Sequence, residues 1–422
     1  MSKRLAVLFV LLAFTAGLPG LSRAANKSLG RSPTVINNDP RADARSPSLA
    51  IDADGRIVIA WVEKTAGAYN AFVKRLDGTG LTGSGWIRLG GSLNRNPKFN
   101  SFEVALDLAP DGTPIAAWME RSNINLGKIS GPGKIHTAKW TGSSWQEFGP
   151  SPTKSPTKAA DQPHVKVDSQ GNPVLAWSEL SPDANAESFY VSRWDGTGST
   201  GAWRDIDIGT LSTDLSGASR SRDLAVTSTD EPILAWSVQY FEPGQAALGF
   251  NVYAGPWQDK RWAALGETAL NLSRTHYAGA ASMVLDANDY PVIAWKEANN
   301  GYEIHVKRWD GSRWQKIGKA LNDGMGLGSN PRIALDKNGR PTVVWIENAG
   351  AENIFVARWD GKAWKIFGRK LNANPKAYAT SSSLALDATG NPVVVWSEEV
   401  GKDQQRIYGL RWTGRDWVAL ER

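Results

Sequence analysis

The chain has 422 residues, no cysteine and a formal net charge of +6. The lack of cysteine excludes disulfides, thiol catalysis and cysteine-bound zinc. Lysines and arginines are spread along the chain with acids between them, a pattern that argues against a nucleic-acid-binding stripe. A chain of this length can bury a large core without cross-links.

Residues 1–24 predict an export signal. Lys3 and Arg4 precede an apolar run from Leu5 to Ala13, and small residues follow up to Ala24. The run is short for a membrane span, and no later segment reaches the length that crossing a bilayer requires. We therefore expect an exported protein, periplasmic or extracellular, without a membrane span.

The rest of the chain is dominated by one repeated phrase, which resembles P-x-L-A-L-D-x-x-G-x-P-V-V-A-W-x-E and recurs seven times. We number these repeats one to seven in chain order. A repeat of 50 to 59 residues indicates a solenoid, a propeller or an array. The tryptophans of the phrase are Trp61, Trp118, Trp177, Trp236, Trp295, Trp345 and Trp396.

Repeat six shows the local pattern clearly. Four short runs rich in Val, Ile and Trp are separated by turn residues, at Arg332–Asp336, Pro341–Glu347, Asn353–Trp359 and Ala363–Gly368. Runs of this kind predict strands, and nothing in the repeat has helical period. Four antiparallel strands in each of seven repeats predict an all-β, seven-bladed β-propeller.

The predicted ring closes between the two ends of the chain. Leu29-Gly30 and Ile36-Asn37 align with the segment that follows repeat six, so residues 25–46 complete the last blade. A closed ring leaves no long free sheet edge. The predicted blades span approximately 47–96, 101–150, 163–210, 221–271, 280–322, 330–372 and 381–422.

All 20 tryptophans fall at three repeated positions, on the second, third and fourth strands. Large aromatic residues used once per blade at one place are best explained by packing between blades. The outer strand is the least covered, so its tryptophans also remain candidates for sugar-binding platforms. These fourth-strand tryptophans are Trp86, Trp145, Trp203, Trp262, Trp314, Trp364 and Trp417.

An aspartate ends the first strand in six repeats, and a cation precedes the third-strand aromatic position in six. In repeat six these residues are Asp336 and Arg358. One interpretation is an ion pair across the second strand. The other is that the aspartate caps its own turn, and the sequence leaves both open.

A glutamate follows the second-strand tryptophan by two residues in six repeats, which places six acids near one rim. They could bind a cation or a basic partner, or each could accept backbone N–H groups from a neighbouring loop; we favour the second. These acids rank low as ligand-binding candidates, and they are Glu63, Glu120, Glu179, Glu297, Glu347 and Glu398.

Repeat four departs most from the pattern. Its loop carries Tyr240, Phe241 and Glu242, and the connection that leaves it carries Arg274, His276 and Tyr277. Both segments are expected on the face that bears the glutamates. Exposed aromatic and basic residues on loops suit recognition of a ligand or a protein, although divergent loops also drift without function. The glycine-rich loop 121–134 of repeat two is a possible lid.

The sequence contains only weak signals for a catalytic or metal-binding site. The four histidines are scattered along the chain, and His136 and His305 occupy equivalent third-strand positions, where we expect packing roles. Neither the H-E-x-x-H metal motif nor the G-x-S-x-G nucleophile motif occurs. We therefore expect no metal and no cofactor.

The turn between the third and fourth strands resembles the Asp box, S-x-D-x-G-x-x-W, of the sialidase-like propeller superfamily. The core D-G-x-x-W stands at Asp310–Trp314 and Asp360–Trp364, without the serine and without the spacer between Asp and Gly. The whole mature chain resembles bacterial secreted propellers of that superfamily. A sialidase would also need an arginine triad, a tyrosine nucleophile with a glutamate partner and an aspartic acid catalyst, a set that these residues do not supply.

The sequence therefore favours an exported, monomeric, non-enzymatic binding module. Its ligand is expected to be a glycan or a protein, and not a nucleic acid. The alternative is a glycoside hydrolase or lyase of the sialidase-like kind, and a purely structural envelope component is a third hypothesis.

Overall fold

The computed structural model describes residues 33–77, 85–122, 132–180, 187–197, 200–208, 219–240, 249–299, 301–322, 326–348, 350–368 and 370–420. The expected export signal, Leu29-Gly30 and most of the predicted lid loop lie outside these residues. The described chain is all-β apart from one short 3-10 turn, Leu265–Glu267. It contains no helix with the length and apolar character needed to cross a membrane.

Within each repeat, strands that follow one another in the chain pair antiparallel. This meander forms because alternating Val, Ile and Trp runs are joined by tight turns. The strands of repeats one to four are β2 (Ala44–Ile51), β3 (Ile57–Thr65), β4 (Ala68–Asp77), β5 (Gly85–Arg88), β6 (Val104–Leu108), β7 (Pro114–Arg121), β8 (Gly133–Trp140), β9 (Trp145–Glu147), β10 (Ala159–Val167), β11 (Pro173–Leu180), β12 (Glu187–Thr197), β13 (Thr200–Ile208), β14 (Ser219–Val226), β15 (Pro232–Tyr240), β16 (Gly249–Gln258) and β17 (Arg261–Trp262).

The later repeats follow the same order. Repeats five and six are joined into one sheet by a single parallel pair, Tyr302 with Leu327. Their strands, and those of repeat seven, are β18 (Ala278–Leu285), β19 (Pro291–Ala298), β20 (Tyr302–Trp309), β21 (Trp314–Lys316), β22 (Leu327–Leu335), β23 (Pro341–Asn348), β24 (Glu352–Trp359), β25 (Trp364–Ile366), β26 (Ala379–Leu386), β27 (Pro392–Gly401), β28 (Gln404–Trp412) and β29 (Trp417–Ala419).

The first strand of each repeat is the innermost one. Each contacts the first strand of the next repeat, from β2 through β6, β10, β14, β18 and β22 to β26, and β26 contacts β2 again. Six of these strands contain a bulge or register shift, and in four of them one residue at the bulge has positive φ, at Ser46, Gln162, Ala280 and Asn330. Bulges bend a strand and increase its twist, which suits strands packed around an axis.

The N-terminal strand β1 (Thr34–Val35) pairs with β28 of the last repeat. The Ile36 N–H donates to the Ile407 carbonyl at 2.8 Å, and the Ile407 N–H donates to Asn37 Oδ1 at 3.2 Å. Asn372 makes the same bond with the Ile354 N–H at 2.9 Å in repeat six. The predicted alignment of Ile36-Asn37 with the segment after repeat six is thus confirmed.

The second-strand tryptophans form the core, and each is at most 4% exposed. In repeat one, Trp61 is fully buried among residues of repeats one and seven. Its indole N–H donates to Glu63 Oε2 at 2.8 Å, so burial leaves no unpaired donor. The packing role predicted for this set is confirmed.

The fourth-strand tryptophans join neighbouring repeats. In repeats two to seven the indole ring packs against the third-strand tryptophan of its own repeat, as Trp364 does against Trp359 at 5.6 Å between ring centroids. In repeat four the Trp262 N–H donates to Asp207 Oδ2 of repeat three at 2.9 Å, and in five other repeats the N–H donates to a backbone carbonyl of the preceding repeat. These bonds are Trp145 to Leu89 at 2.6 Å, Trp203 to Phe148 at 3.0 Å, Trp314 to Leu265 at 3.0 Å, Trp364 to Ile317 at 3.1 Å and Trp417 to Phe367 at 2.8 Å.

The repeated aspartates cap turns. Asp336 Oδ1 accepts the Asn338 and Arg340 N–H groups, both at 2.9 Å. Arg358 reaches the next repeat and donates to the Gly390 carbonyl. The capping interpretation is therefore observed, and the arginine of repeat six adds a further bond between repeats. The ion-pair interpretation also holds in repeat five, where Arg308 Nε lies 3.9 Å from Asp286 Oδ2.

The Asp-box aspartates also cap their hairpins. Asp310 Oδ1 accepts the Ser312 and Arg313 N–H groups at 2.9 and 2.8 Å. Hydrogen bonds from Gln315 and from these backbone groups hold the pKa of Asp310 well below its usual value. Gly311 supplies the positive φ of 97° that the turn requires.

Candidate functional site

The predicted glutamates lie beside the connections between repeats. Glu297 is 1% exposed, and its carboxylate accepts the Leu272 and Ser273 N–H groups at 2.9 Å and the Trp295 indole N–H at 3.0 Å. Backbone donors satisfy this buried charge, as we expected. The same bonding holds for Glu63, Glu120, Glu179 and Glu398, and half-buried Glu347 accepts the Trp345 indole N–H at 3.0 Å. Their role in ligand binding stays a prediction.

Glu297 positions the connection that bears Arg274, His276 and Tyr277. Asn271 in this connection accepts the Val252 N–H at 2.8 Å and donates to the Phe250 carbonyl at 2.9 Å. These bonds fix the connection against strand β16. Arg274 is exposed, whereas His276 and Tyr277 are half-buried.

The structure brings the two divergent segments of repeat four together. Tyr240 pairs with Gly249 at the end of β15, and a Cβ atom on Gly249 would lie 2.6 Å from the His276 carbonyl oxygen. Glycine is therefore needed where the two backbones approach. Phe241, Glu242 and the Tyr240 side chain lie outside the described part of the chain.

Tyr277 belongs to an aromatic cluster that the sequence did not reveal. Its ring lies 5.4 Å from Phe250 and 6.2 Å from Tyr302, both measured between centroids. The Lys296 ammonium lies over the Tyr277 and Tyr302 rings, 5.2 and 4.5 Å from their centroids. Burial lowers the pKa of Lys296. We call Phe250, Tyr277, Lys296 and Tyr302 the tyrosine–lysine cluster.

Lys296 is a departure from the repeat. It pairs with Gly279 on β18, and apolar or serine residues occupy its position in the other repeats, namely Val62, Met119, Ser178, Ser237, Ile346 and Ser397. Among the described residues, its ammonium has no hydrogen-bond acceptor and no carboxylate partner. A half-buried cation held only by ring faces can take an anion.

A second polar group lies on the innermost strands. His164 Nδ1 is 3.6 Å from Asp223 Oδ1, and Asp223 Oδ2 accepts the Met283 N–H at 2.8 Å. Asp107 raises the pKa of Lys166 against the effect of burial. Burial opposes ionisation of Asp223, yet His164 and Lys166 keep its pKa below the usual value.

Sequence reasoning also missed this axial group, which consists of Asp107, His164, Lys166 and Asp223. The available signal was again departure from the repeat, since His164 and Asp223 stand where repeats one, five and seven have Ser48, Ser282 and Ser383. Within the described ranges, no three His, Cys, Asp or Glu side chains are grouped so that they could hold a metal ion.

The antiparallel four-stranded repeats and the cyclic contacts of their first strands define a β-propeller. No protein-family model matches the chain, and no curated protein matches it.

One similar structure is a polysaccharide lyase of family PL25, an ulvan lyase, with a TM-score of 0.57 and 12% identity over 93% of this chain and 96% of that one. A further structure with that description holds -[GlcA(1-4)Rha3S]-. The polysaccharide lyase Uly1 gives a TM-score of 0.55 and 8% identity over 92% and 94% of the two chains. A protein of unknown function from Dyadobacter fermentans gives 0.51 and 15% over 75% and 95%. These likenesses show a shared fold.

Proposed function

We propose that the chain is an exported glycan-binding protein built as a seven-bladed β-propeller. The cyclic contacts of the innermost strands, from β2 round to β26 and back, support seven blades. Pairing of β1 with β28 supports a ring that the N-terminal segment closes. The recognition face is the one on which Glu297 and its counterparts fix the connections.

The ligand is an acidic glycan, and the tyrosine–lysine cluster binds it. The observation that carries this proposal is the Lys296 ammonium, which lies half-buried between two tyrosine rings without a described anionic partner. A uronate carboxylate or a sulfate ester would complete its contacts. Arg274 and His276 lie on the adjacent connection, and the Arg274 guanidinium adds positive charge at the edge.

Aromatic rings beside a cation are better suited to bind a sugar than to bind a small free anion. Half-buried Tyr277 and Tyr302 present apolar ring surface against which the C–H face of a pyranose can pack, and buried Phe250 supports the Tyr277 ring. The glutamates act indirectly in this proposal, since they hold the connections in place. The similar ulvan lyases act on a polysaccharide, which agrees with a glycan ligand for this fold.

The test is a binding screen of the mature protein against oligoalginate, oligogalacturonate, ulvan oligosaccharides and the neutral cellotriose. We expect an acidic member to bind, with affinity reduced about tenfold or more by Lys296→Met or Tyr277→Ala, since one charge-assisted contact contributes about 1.5–3 kcal/mol. Tyr378→Ala is the matched control, because Tyr378 holds the equivalent place in repeat seven and is 43% exposed.

Binding of an acidic glycan that is equal in wild type and Lys296→Met would contradict the proposed site. If no glycan binds but a protein is captured through the same face, the ligand is a protein and the glycan proposal is wrong. Equal loss in Tyr378→Ala and Tyr277→Ala would show a nonspecific effect.

The second candidate function is a polysaccharide lyase, and the axial group favours it. In an elimination, a base removes the proton at C5 of a uronate whose carboxylate a cation neutralises, a double bond forms between C4 and C5 as the bond from C4 to the leaving oxygen breaks, and that oxygen takes up a proton from water. His164, oriented by Asp223, fits the base, and Lys166 fits the cation.

The lyase candidate is tested by incubating the acidic oligosaccharides with wild type and His164→Asn. The ultraviolet absorbance of an unsaturated uronate product would support it if the variant lost that product. Binding without product in the wild type would leave the non-enzymatic proposal.

A further inference from the structure

A shallow cavity of about 330 Å³ lies between repeats one and two, away from the tyrosine–lysine cluster. One wall is the segment Gly90–Arg95 that leaves repeat one, and the other is the hairpin that carries Trp145 and Glu147. Ser92, Ser143 and Ser144 add hydroxyl groups at its rim and are exposed. We call this cavity the outer groove.

Trp145 gives the outer groove an ordered aromatic floor. The ring is half-buried and packs against Trp140 at 5.5 Å between centroids. Its indole N–H donates to the Leu89 carbonyl at 2.6 Å, so the ring cannot turn without losing that bond. A fixed indole costs little conformational entropy when a ligand stacks on it.

An ion pair crosses the outer groove. Arg95 Nε lies 2.9 Å from Glu147 Oε1. The pair is anchored on the Arg95 side, because the Arg95 backbone N–H donates to Glu120 Oε1 at 2.5 Å. Burial raises the pKa of Glu147, and Arg95 opposes that shift.

Few repeats share this ion pair. The positions equivalent to Glu147, two residues after each fourth-strand tryptophan, are Arg88, Asp205, Ala264, Lys316, Ile366 and Ala419. Asp205 pairs with Lys154 in repeat three, but its Oδ1 atom also accepts the Ser192 hydroxyl at 2.7 Å. Glu147 therefore has fewer described hydrogen-bond partners than Asp205.

We propose that the outer groove is a second glycan subsite, which takes a neutral pyranose unit. The sugar stacks its C–H face on Trp145, while Glu147 accepts hydroxyl hydrogens and Arg95 donates to hydroxyl oxygens. The charges of Arg95 and Glu147 compensate each other, which favours a neutral ligand over an acidic one. This subsite does not depend on the proposed function of the tyrosine–lysine cluster.

The test titrates the whole mature protein with cellotriose, laminaritriose and mannotriose, followed by saturation-transfer NMR and calorimetry. We expect at least one trisaccharide to bind, and Glu147→Gln to weaken it about tenfold, the effect of removing one charged hydrogen-bond partner. Arg95→Met should weaken it similarly. Asp205→Asn, the matched change in repeat three, should leave the affinity unchanged.

Absence of binding by all three trisaccharides overturns the subsite. So does wild-type affinity in both Glu147→Gln and Arg95→Met, or an equal loss in Asp205→Asn. Lys296→Met should leave this binding intact, so failure of the acidic-glycan site and failure of the outer groove are distinguishable.

Discussion

At the scale of single residues, equivalent positions in different repeats show which side chains are interchangeable. The residue opposite the second-strand tryptophan is aromatic or histidine in every repeat, for example Phe72, His136 and Phe355. His136 stacks on Trp118 with ring centroids 5.6 Å apart. This confirms the packing role that we expected, and burial lowers the pKa of His136 to about 4.

This pKa gives a prediction for acid stability. In the unfolded chain His136 binds a proton at its ordinary pKa of 6.5, whereas in the folded protein it does so only near pH 4. The free energy of unfolding therefore decreases as the pH drops from 6.5 towards 4, by up to about 3 kcal/mol. His136→Phe should lack this loss. Chemical denaturation at about pH 7 and about pH 4.5 measures it, and the same decrease in both proteins would contradict the assignment.

The buried glutamates yield a second prediction. Glu398 accepts the Ala373 and Asn374 N–H groups at 2.9 and 2.7 Å and the Trp396 indole N–H at 2.9 Å. Glu398→Ala leaves these donors without an acceptor, and we expect a loss of about 3 kcal/mol.

The neighbouring exposed residue Glu399 is the control for this change. Glu399→Ala should alter stability by less than about 0.5 kcal/mol. Urea denaturation of the two variants would refute the role of Glu398 if their midpoints coincided.

At the scale of elements, the strands are joined across repeats by two kinds of tryptophan with different energetic roles. Trp345 is 1% exposed and fills the space between repeats five and six. Trp364 is half-buried and contributes one hydrogen bond to Ile317. Position on the second or the fourth strand therefore decides the cost of substitution.

We expect Trp345→Ala to cost about 4 kcal/mol, the range for large core truncations. Trp364→Phe should cost about 1 kcal/mol, since the ring packing largely remains and one hydrogen bond is lost. Thermal and urea unfolding of the two variants measure these differences. Equal losses would contradict the division between core and joining tryptophans.

Short runs rich in Val, Ile and Trp between turn residues were enough to predict the strands, including those, such as β7, that are buried on both faces. The repeat also aligned Ile36-Asn37 with Leu371-Asn372 of the segment after repeat six. The tyrosine–lysine cluster was only half predicted. Tyr277 stands in a divergent connection, but contact with Phe250 and Tyr302 depends on how two repeats pack, which no local pattern encodes.

The axial group was missed for a related reason. Bulges in the innermost strands, such as the one between Asp161 and His164, shift the alternation of side chains. The face that His164 and Lys166 present therefore cannot be read from a period of two alone. Comparison of the first-strand residues that pair with the residue before the second-strand tryptophan would have shown that His164 and Asp223 replace serine.

At the scale of the whole molecule, the two ends of the chain meet in one sheet. Ile36 is 2% exposed and packs with Leu420 and residues of repeats one and seven. Leu371 is fully buried at the equivalent place in repeat six. In a closed ring, Ile36 and Leu371 would occupy equivalent packing positions, although Ile36 lies near the start of the chain.

Ile36→Ala and Leu371→Ala should therefore destabilise the protein by similar amounts, about 3 kcal/mol each. Urea denaturation compares them. A negligible effect of Ile36→Ala beside a large effect of Leu371→Ala would show that the N-terminal segment does not close the ring.

The central claim is that repeated positions build the scaffold and departures from the repeat bind the ligand. The most direct test replaces two residues of the tyrosine–lysine cluster with residues that other repeats have at those places, Tyr277→Leu and Lys296→Ser together, since Leu327 and Ser397 stand there in repeats six and seven. Calorimetric titration of the best acidic oligosaccharide, beside an unfolding curve, measures both properties. The account predicts a folded protein with stability within about 1 kcal/mol of wild type and no measurable binding of that glycan. A folded double variant that binds as wild type does would contradict it.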